Sequence, residues 1–288
     1  MKNLILLSFI CLTQFVQAQQ SSVDFILGLT NYQGDLQSKR YTFKLAKTAV
    51  GIGASHQLGM QTTIRASLIF TQVQGDDKYQ KDPQLQLRNL MFYSKITEFN
   101  INLQYNLMDI YATKYTPYIF AGIGIFKFDP FIYDKLDNRI YLRPLTTEGQ
   151  GLYPTKKVYK TTQLNIPFGA GFKYAVNENF DIGIELGARK LFTDYLDDVS
   201  TSYSDYFTLK NARGQLATDL AFRSDELQPQ SYPAGGTKRG SPRFKDWYYL
   251  TTLAVSYKFG AEPFSKGTGN GNVGKKFRSG TGCPKFRF

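Results

Sequence analysis

The feature that most constrains this chain is an alternation of apolar and polar side chains with a period of two. In the segment Thr97–Leu107, every odd position after Thr97 is apolar or aromatic, and every even position is polar. The segments Phe180–Arg189 and Trp247–Phe259 follow the same period. Such alternation over long segments is typical of β-strands whose two faces meet different surroundings. The chain is therefore predicted to be all-β.

The length of these segments favours a membrane barrel over a soluble sheet. Strands of soluble proteins usually have about five or six residues, whereas a tilted strand that crosses a bilayer needs about nine to eleven. Aromatic side chains also stand at both ends of the last segment, with Trp247 and Tyr249 at one end and Tyr257 and Phe259 at the other. Such girdles mark the two membrane interfaces. A soluble β-sandwich would show the same alternation, and it is the alternative fold.

Eight strands are predicted, and an even number closes a bacterial barrel with both chain ends on one side. The predicted strands are Ser22–Thr30, Thr48–Gln57, Thr62–Val73, Ile96–Leu107, Pro117–Phe128, Gln163–Val176, Phe180–Phe192 and Trp247–Phe259. Their connections alternate between long and short, and in such barrels the short turns face the periplasm. The predicted fold is an eight-stranded antiparallel transmembrane β-barrel with long extracellular loops and a flexible C-terminal periplasmic tail.

The first residues predict a secretory signal peptide. Leu4–Leu12 is an apolar run that is too short to span a bilayer, and Val16–Ala18 resembles a cleavage site. Cys11 lies in this segment and would be removed with it. The predicted organisation is a signal peptide at 1–18, an outer-membrane barrel at 19–259 and a periplasmic partner-binding tail at 260–288.

The predicted tail is rich in glycine and basic residues, which is typical of a segment that becomes ordered on binding. It contains Cys283, the only cysteine that remains once the signal peptide is removed. An odd cysteine in a secreted chain indicates either an intermolecular disulfide or a free thiol. We expect a disulfide between Cys283 and a periplasmic partner, with Lys285, Phe286 and Arg287 adding charge and an apolar anchor.

Charged residues occur at lumen-facing positions of the predicted strands. These are Asp24, Arg65, Glu98, Lys173, Glu185, Arg189 and Lys258. An eight-stranded barrel has an interior just wide enough to be filled by side chains, and an unpaired buried charge is costly. We therefore predict a lumen charge network of Arg65, Glu98, Glu185 and Arg189 that plugs the barrel. A proton or ion path is the less favoured interpretation of the same residues.

Signatures of catalysis and of metal binding are weak. The only histidine, His56, is predicted to lie at a short periplasmic turn, away from the long loops, so a hydrolase triad is disfavoured. The acid pairs in "GDDK" (Gly75–Lys78) and "LDDVS" (Leu196–Ser200) could bind Ca²⁺, but we expect solvated loop acids that pair with loop arginines. No catalytic, metal or cofactor site is predicted. The net charge of +12 does not indicate nucleic acid in a secreted chain.

Several stretches resemble the PorG family, an outer-membrane barrel of the type IX secretion system of Bacteroidota. The resemblance runs in chain order over nearly the whole mature sequence, and it is weakest at Phe207–Arg243. The stretches are "TNYQGDLQ", "RASLIFTQVQGDDK", "TPYIFAGIGIFKFDP", "RPLTTEGQG", "IPFGAGFKYAVNENFDIGIELGARKLFTDYLDDVS" and the terminal "CPKF".

The resemblance implies a subunit that is neither an enzyme nor the secretion conduit. It implies contact at the periplasmic face with a ring of a PorK/GldK-like lipoprotein and its PorN/GldN-like partner. It also implies a role in cargo export and, in gliding species, in motility. The matching tail motif is Cys283, Pro284, Lys285 and Phe286. The alternatives are a generic envelope barrel or adhesin and an outer-membrane enzyme, and the basic, cysteine-bearing tail favours the secretion subunit.

Overall fold

The computed structural model describes residues 20–134 and 136–259, which form an antiparallel sheet with helical connections. The strands are β1 (Ser21–Gln33), β2 (Lys47–Gln57), β3 (Thr62–Asp76), β4 (Met91–Asn106), β5 (Tyr115–Tyr133), β6 (Arg139–Tyr141), β7 (Thr162–Ala175), β8 (Phe180–Leu191) and β9 (Trp247–Phe259). The predicted signal peptide at 1–18 and the predicted tail at 260–288, with Cys11 and Cys283, lie outside the described residues.

The sheet closes on itself into a barrel. β1 pairs with both β2 and β9, and β4 pairs with both β3 and β5. Of the nine strands, β6 pairs only with β5, and the other eight form the closed ring in the order β1-β2-β3-β4-β5-β7-β8-β9. Ser21 lies opposite both His56 and Phe259. The prediction of an eight-stranded antiparallel barrel is confirmed.

Four strands continue at least three residues beyond their predicted ends on the long-loop side. β1 reaches Gln33 instead of Thr30, β3 reaches Asp76 instead of Val73, β4 begins at Met91 instead of Ile96, and β5 continues to Tyr133 instead of Phe128. In the extensions of β1, β3 and β5 the alternation between buried and exposed residues is lost, whereas β4 keeps it. Val73 to Asp77 are all buried, because the loops cover the outward face as well as the inward one. A period of two therefore predicts the membrane part of each strand but not its extension.

The short turns at 58–61, 107–114 and 176–179 lie at one end of the barrel, and the long connections lie at the other. The helices are α1 (Pro83–Arg88), α2 (Ile110–Thr113), α3 (Tyr206–Arg213) and α4 (Gln215–Ala221). α1 and α3 begin at aspartate caps, where Asp82 accepts from the Gln84 amide and Asp205 from the Thr208 amide. Among residues 20–134 and 136–259, no helix is both long and apolar enough to cross a membrane.

Apolar side chains occupy two separate places. Along the strands they point outward into a belt of exposed residues, including Leu27, Ile52, Ile123, Ile184 and Leu253. A buried apolar core occurs at the long-loop end, where it is built from residues such as Tyr32, Val73, Phe92, Phe128, Leu196 and Tyr248. A belt of this extent is stable only against lipid. The closed barrel, the belt and the polar interior together define a membrane barrel of the outer-membrane type.

A charge placed in the lipid-facing belt should destabilise the barrel. Ile123 lies midway along the membrane part of β5 and is 71% exposed. We expect Ile123→Arg to lower the free energy of unfolding by about 2–4 kcal/mol, since arginine is costly at the bilayer midplane. Lys127→Arg, on the same outward face nearer the loops, is the matched control and should change it by less than about 1 kcal/mol. Denaturant titration in lipid vesicles measures both, and equal effects would contradict a buried position for Ile123 in the bilayer.

Candidate functional site in the lumen and the extracellular cap

The lumen is bridged by side chains from opposite walls. Arg65 of β3 donates from Nη2 to Glu185 Oε2 of β8 at 2.6 Å, and both residues are buried. β3 and β8 are four strands apart in a ring of eight, so this ion pair spans the full diameter. The hydroxyl of Tyr118 also donates to Glu185 at 3.1 Å. The barrel is therefore closed at this level by a hydrogen-bonded ion pair.

A second bridge lies around Glu98 of β4. Arg189 Nε lies 3.4 Å from Glu98, and the Tyr248 hydroxyl of β9, on the opposite wall, donates to it. Asn100 Nδ2 donates to Glu98 at 2.6 Å, and Asn165 Nδ2 donates to the Tyr248 hydroxyl at 2.8 Å. Glu98 is fully buried, so its three partners Arg189, Tyr248 and Asn100 offset part of the cost of removing its charge from water.

The end of the lumen that carries the short turns is also lined by charges. Lys258 Nζ lies 2.8 Å from Asp181, and Ser55 Oγ donates to Asp24 at 2.5 Å. Lys173 Nζ lies 5.7 Å from the centre of the Tyr118 ring. Asp181, Tyr118, Asn165 and Tyr248 were not among the predicted lumen residues. Strand parity identifies Tyr248 as a lumen residue. The girdle residues Trp247 and Tyr249 stand at odd, outward positions of β9, so the even position of Tyr248 faces the lumen.

The four long connections form a folded unit above the barrel, here called the extracellular cap. It comprises residues 34–46, 77–90, 134, 136–161 and 192–246. Glu148 lies at its centre and is fully buried. It accepts hydrogen bonds from the backbone amides of Ser200 and Thr201, each at 2.9 Å, and forms a 3.2 Å ion pair with Arg239. One carboxylate thus joins the third connection to the fourth.

A second ion pair ties the first and second connections to the fourth. Arg88 binds both carboxylate oxygens of Asp77 at 2.7 Å, in the two-point geometry that makes such pairs strong. The same guanidinium donates to the backbone oxygens of Asp35, at 2.9 Å, and of Arg239, at 2.6 Å. All four of its hydrogen bonds are internal, so the cap is cross-linked by charged groups and not only by apolar contacts.

The acid pairs in the loops are buried, which corrects the expectation that they are solvated. Asp77, Asp197 and Asp198 are at most 1% exposed. The expected pairing with arginine occurs at Asp77, whereas Asp198 accepts from the hydroxyls of Thr147 and Tyr159 at 2.6 and 2.7 Å. Within 20–134 and 136–259, no cluster of His, Cys, Asp or Glu is arranged to hold a metal ion. These acids fasten the loops to each other.

Burial perturbs the acids of the cap. The Tyr32 hydroxyl lies 2.5 Å from an Asp197 carboxyl oxygen and 3.1 Å from an Asp246 carboxyl oxygen. The two carboxyl groups therefore share one hydroxyl donor. Burial, and then the charge of Asp246, raises the pKa of Asp197 well above the usual carboxyl value. Burial is also the main cause that raises the pKa of Asp194 to about 7 and the pKa of Asp198 to about 6. The folded cap therefore holds protons that an unfolded chain would release.

The one histidine lies far from the cap, as its place in the sequence indicates. His56 is near the short-turn end of β2, where its Nδ1 is 2.9 Å from Ser21 Oγ. It therefore has no part in the buried acid network of the cap. The predicted partner-binding residues Cys283, Pro284, Lys285, Phe286 and Arg287 lie outside the described residues.

Fold, apolar belt and bridged lumen define a small membrane β-barrel with a folded extracellular cap. The chain belongs to the family described as a domain of unknown function, DUF6089, whose model matches residues 1–220. A comparison with curated protein sequences gives no match.

Three solved barrels illustrate the structural similarity, and all are distant in sequence. Ail of Yersinia pestis, solved with a heparin analogue, is 9% identical, with 84% of this chain and 99% of that chain covered at a TM-score of 0.41. Neisserial surface protein A is 11% identical, with 84% and 97% covered at 0.39. The outer membrane protease OmpT of Escherichia coli is 10% identical, with 85% and 98% covered at 0.37.

Breaking one lumen bridge should cost more stability than removing it whole. Arg65→Met leaves the buried carboxylate of Glu185 without its cation, and we expect a loss of about 3–5 kcal/mol. The double variant Arg65→Met/Glu185→Leu replaces the pair with apolar groups and should recover most of that loss. Denaturant unfolding in vesicles compares the three proteins. Additive losses in the double variant would show that the two side chains do not interact.

The acids of the cap should make its stability depend on pH. The carboxyl pKa values of Asp194 and Asp198 are higher in the folded cap than in an unfolded chain, so these two groups bind more protons in the folded state between about pH 4 and pH 7. The stabilisation is complete below about pH 4 and is lost as the pH rises through 6 to 7. We expect limited proteolysis of the cap to be faster at pH 8 than at pH 5. Asp194→Asn should reduce that difference, whereas Asp225→Asn, at an exposed position, should leave it unchanged.

Proposed function

We propose that this protein is a non-conducting outer-membrane subunit of the type IX secretion system that anchors or organises the periplasmic ring. The observation that carries the proposal is the pair of side-chain bridges across the lumen, Arg65 to Glu185 and Glu98 to Tyr248. A barrel filled in this way is suited to hold other components at the membrane and not to pass cargo. The PorG-like stretches of the sequence support the same role.

The geometry of the last strand supports a periplasmic attachment through the tail. Phe259 lies opposite Ser21, at the end of the barrel that carries the short turns. Residues 260–288 follow directly from that end, which is the periplasmic end in barrels of this type. The tail residues Cys283, Pro284, Lys285, Phe286 and Arg287 are proposed to bind the PorK/GldK-like lipoprotein and its PorN/GldN-like partner, with Cys283 forming an intermolecular disulfide.

A generic envelope barrel or adhesin is the second candidate. The observation that favours it is the folded cap, which presents large exposed side chains at Phe207 and Phe244. An adhesin would act through these outward residues, whereas a ring anchor would act through the tail. Substitutions in the cap should therefore impair only an adhesin, and substitutions in the tail should impair only a ring anchor.

Pull-down of the tagged full-length protein from solubilised envelopes tests the proposal. We expect the two ring components to co-purify, and a higher-mass band on non-reducing gels that collapses with reductant. Cys283→Ser should abolish that band and reduce cargo secretion. The variant Phe207→Ser/Phe244→Ser, in the cap, is the matched control and should leave both unchanged.

The opposite pattern would contradict the anchoring role. If the ring components are missing from the pull-down and Cys283→Ser secretes normally, the tail does not connect the barrel to the machine. If the cap variant alone loses cell-surface attachment, the adhesin function is favoured instead.

A further inference from the structure

A groove on the outer wall of the barrel is lined by aromatic and basic side chains, and these side chains belong neither to the lumen network nor to the tail. It has a volume of about 570 Å³ and lies between the first connection and the strands β7, β8 and β9. Its principal lining residues are Arg40, Phe168, Ala188, Lys245, Trp247 and Tyr249. A space of this size accepts a group of drug-like dimensions, which is larger than a single phosphate.

Register places the groove at the outer membrane boundary. Phe168 lies opposite Ala188, and Ala188 lies opposite Tyr249, so one level of three adjacent strands forms its floor. Below this level, towards the periplasm, the strands expose Leu29, Leu186 and Leu253 to lipid. Above it the cap begins. An amphiphile in the outer leaflet would therefore present its head group to the groove and its acyl chains to the leucines.

The floor of the groove is an aromatic surface. The rings of Trp247 and Tyr249 are nearly parallel, with centres 6.3 Å apart and planes at 12°. Phe168 meets Trp247 edge-on, at 6.1 Å and 86°. Aromatic rings at this depth are suited to the boundary between head groups and acyl chains. Flat ring faces also match the apolar C–H faces of a sugar, which is how a saccharide head group would be contacted.

The rim of the groove is basic. Arg40 lies in the first connection, Lys245 in the fourth, and Lys190 points outward on β8 opposite Trp247. Within the described ranges, no salt bridge joins any of these three cations to an acidic side chain. Lys245 donates to the backbone oxygen of Pro242 at 3.1 Å. The lining includes one acid, Asp35, whose Oδ2 accepts the Ser241 amide at 2.9 Å.

Hydrogen bonds hold the walls of the groove in place. The Thr42 amide donates to Asn31 Oδ1 at 2.9 Å, which fixes the first connection against the outside of β1. The Tyr249 hydroxyl donates to Gln33 at 2.7 Å. The contact of Asp35 with Ser241 joins the first connection to the fourth. The groove is therefore formed before any ligand arrives, which lowers the entropic cost of binding.

We propose that this groove binds the phosphorylated head group of an outer-leaflet glycolipid, an acylated and phosphorylated disaccharide. Arg40 and Lys245, with Lys190 beside them, would form charge-assisted hydrogen bonds to phosphate oxygens. Trp247, Tyr249 and Phe168 would stack against the sugar. The acyl chains would lie along the leucines of the belt. A simple glycerophospholipid offers the phosphate but not the sugar, and it would leave the aromatic floor uncovered.

The chain itself supplies the probe for a test. Trp247 is its only tryptophan, so intrinsic fluorescence of the full-length protein in detergent micelles reports directly on the groove. Purified diphosphoryl lipid A is the ligand to titrate, and phosphatidylglycerol is the comparison lipid. We expect lipid A to cause a saturable change in the Trp247 emission, and phosphatidylglycerol to bind about tenfold more weakly or not at all.

Matched variants separate recognition from general attraction to anions. Arg40→Gln/Lys245→Gln should raise the Kd for lipid A about tenfold or more, since two charge-assisted contacts are lost. Ala188→Phe should also weaken binding, because it fills the floor without changing charge. Lys95→Gln/Lys127→Gln removes two exposed outward lysines from β4 and β5, away from the groove, and should leave the Kd unchanged. Circular dichroism verifies that each variant remains folded.

Two results would overturn the proposal. Equal affinity of the wild type for phosphatidylglycerol would show that the groove attracts any anionic lipid and does not recognise a saccharide. Equal Kd values for the groove and control variants would show that the lipid binds elsewhere on the barrel.

Discussion

The structure depends on pairing charges across a lumen that is too narrow to hydrate them. Arg65 reaches Glu185, and Glu98 is reached by Arg189 and Tyr248, in each case from a distant or opposite strand. A buried charge without such a partner is costly, and breaking one pair is more damaging than never having it. The interior therefore fixes the strands against each other, while lipid contacts on the outside are non-directional.

The cap, outside the membrane, is also stabilised by buried ion pairs. Glu148 with Arg239, and Asp77 with Arg88, cross-link connections that are far apart in the chain. Among the buried side chains of the cap, acids outnumber cations, and burial raises the pKa of several of these acids, so they retain protons in the folded state. This rigidity has a consequence at the membrane boundary. The first and fourth connections, fixed to each other, form the walls of the groove that contains Arg40 and Trp247.

The membrane part of the fold could be predicted from the sequence because lipid and lumen impose opposite chemistry on alternate residues. The inward charges Arg65, Glu98, Glu185 and Arg189 followed from strand parity alone. The buried state of Asp197 and Asp198 could not be predicted, because it depends on partners that are distant in the chain. Asp197 accepts from Tyr32 of β1, and Asp198 accepts from Thr147 and Tyr159 of another connection. The groove was missed for the same reason. Its floor comes from three strands and its rim from two loops and Lys190 of β8, and no local pattern in the chain brings them together.

Electrical recording from planar lipid bilayers tests the sealed lumen most directly. The purified full-length protein would be reconstituted and held at a steady potential in both orientations. The bridges from Arg65 to Glu185 and from Glu98 to Tyr248 predict no stable single-channel openings. Reproducible openings of fixed conductance would contradict the sealed barrel and would favour a conducting function for the same charges.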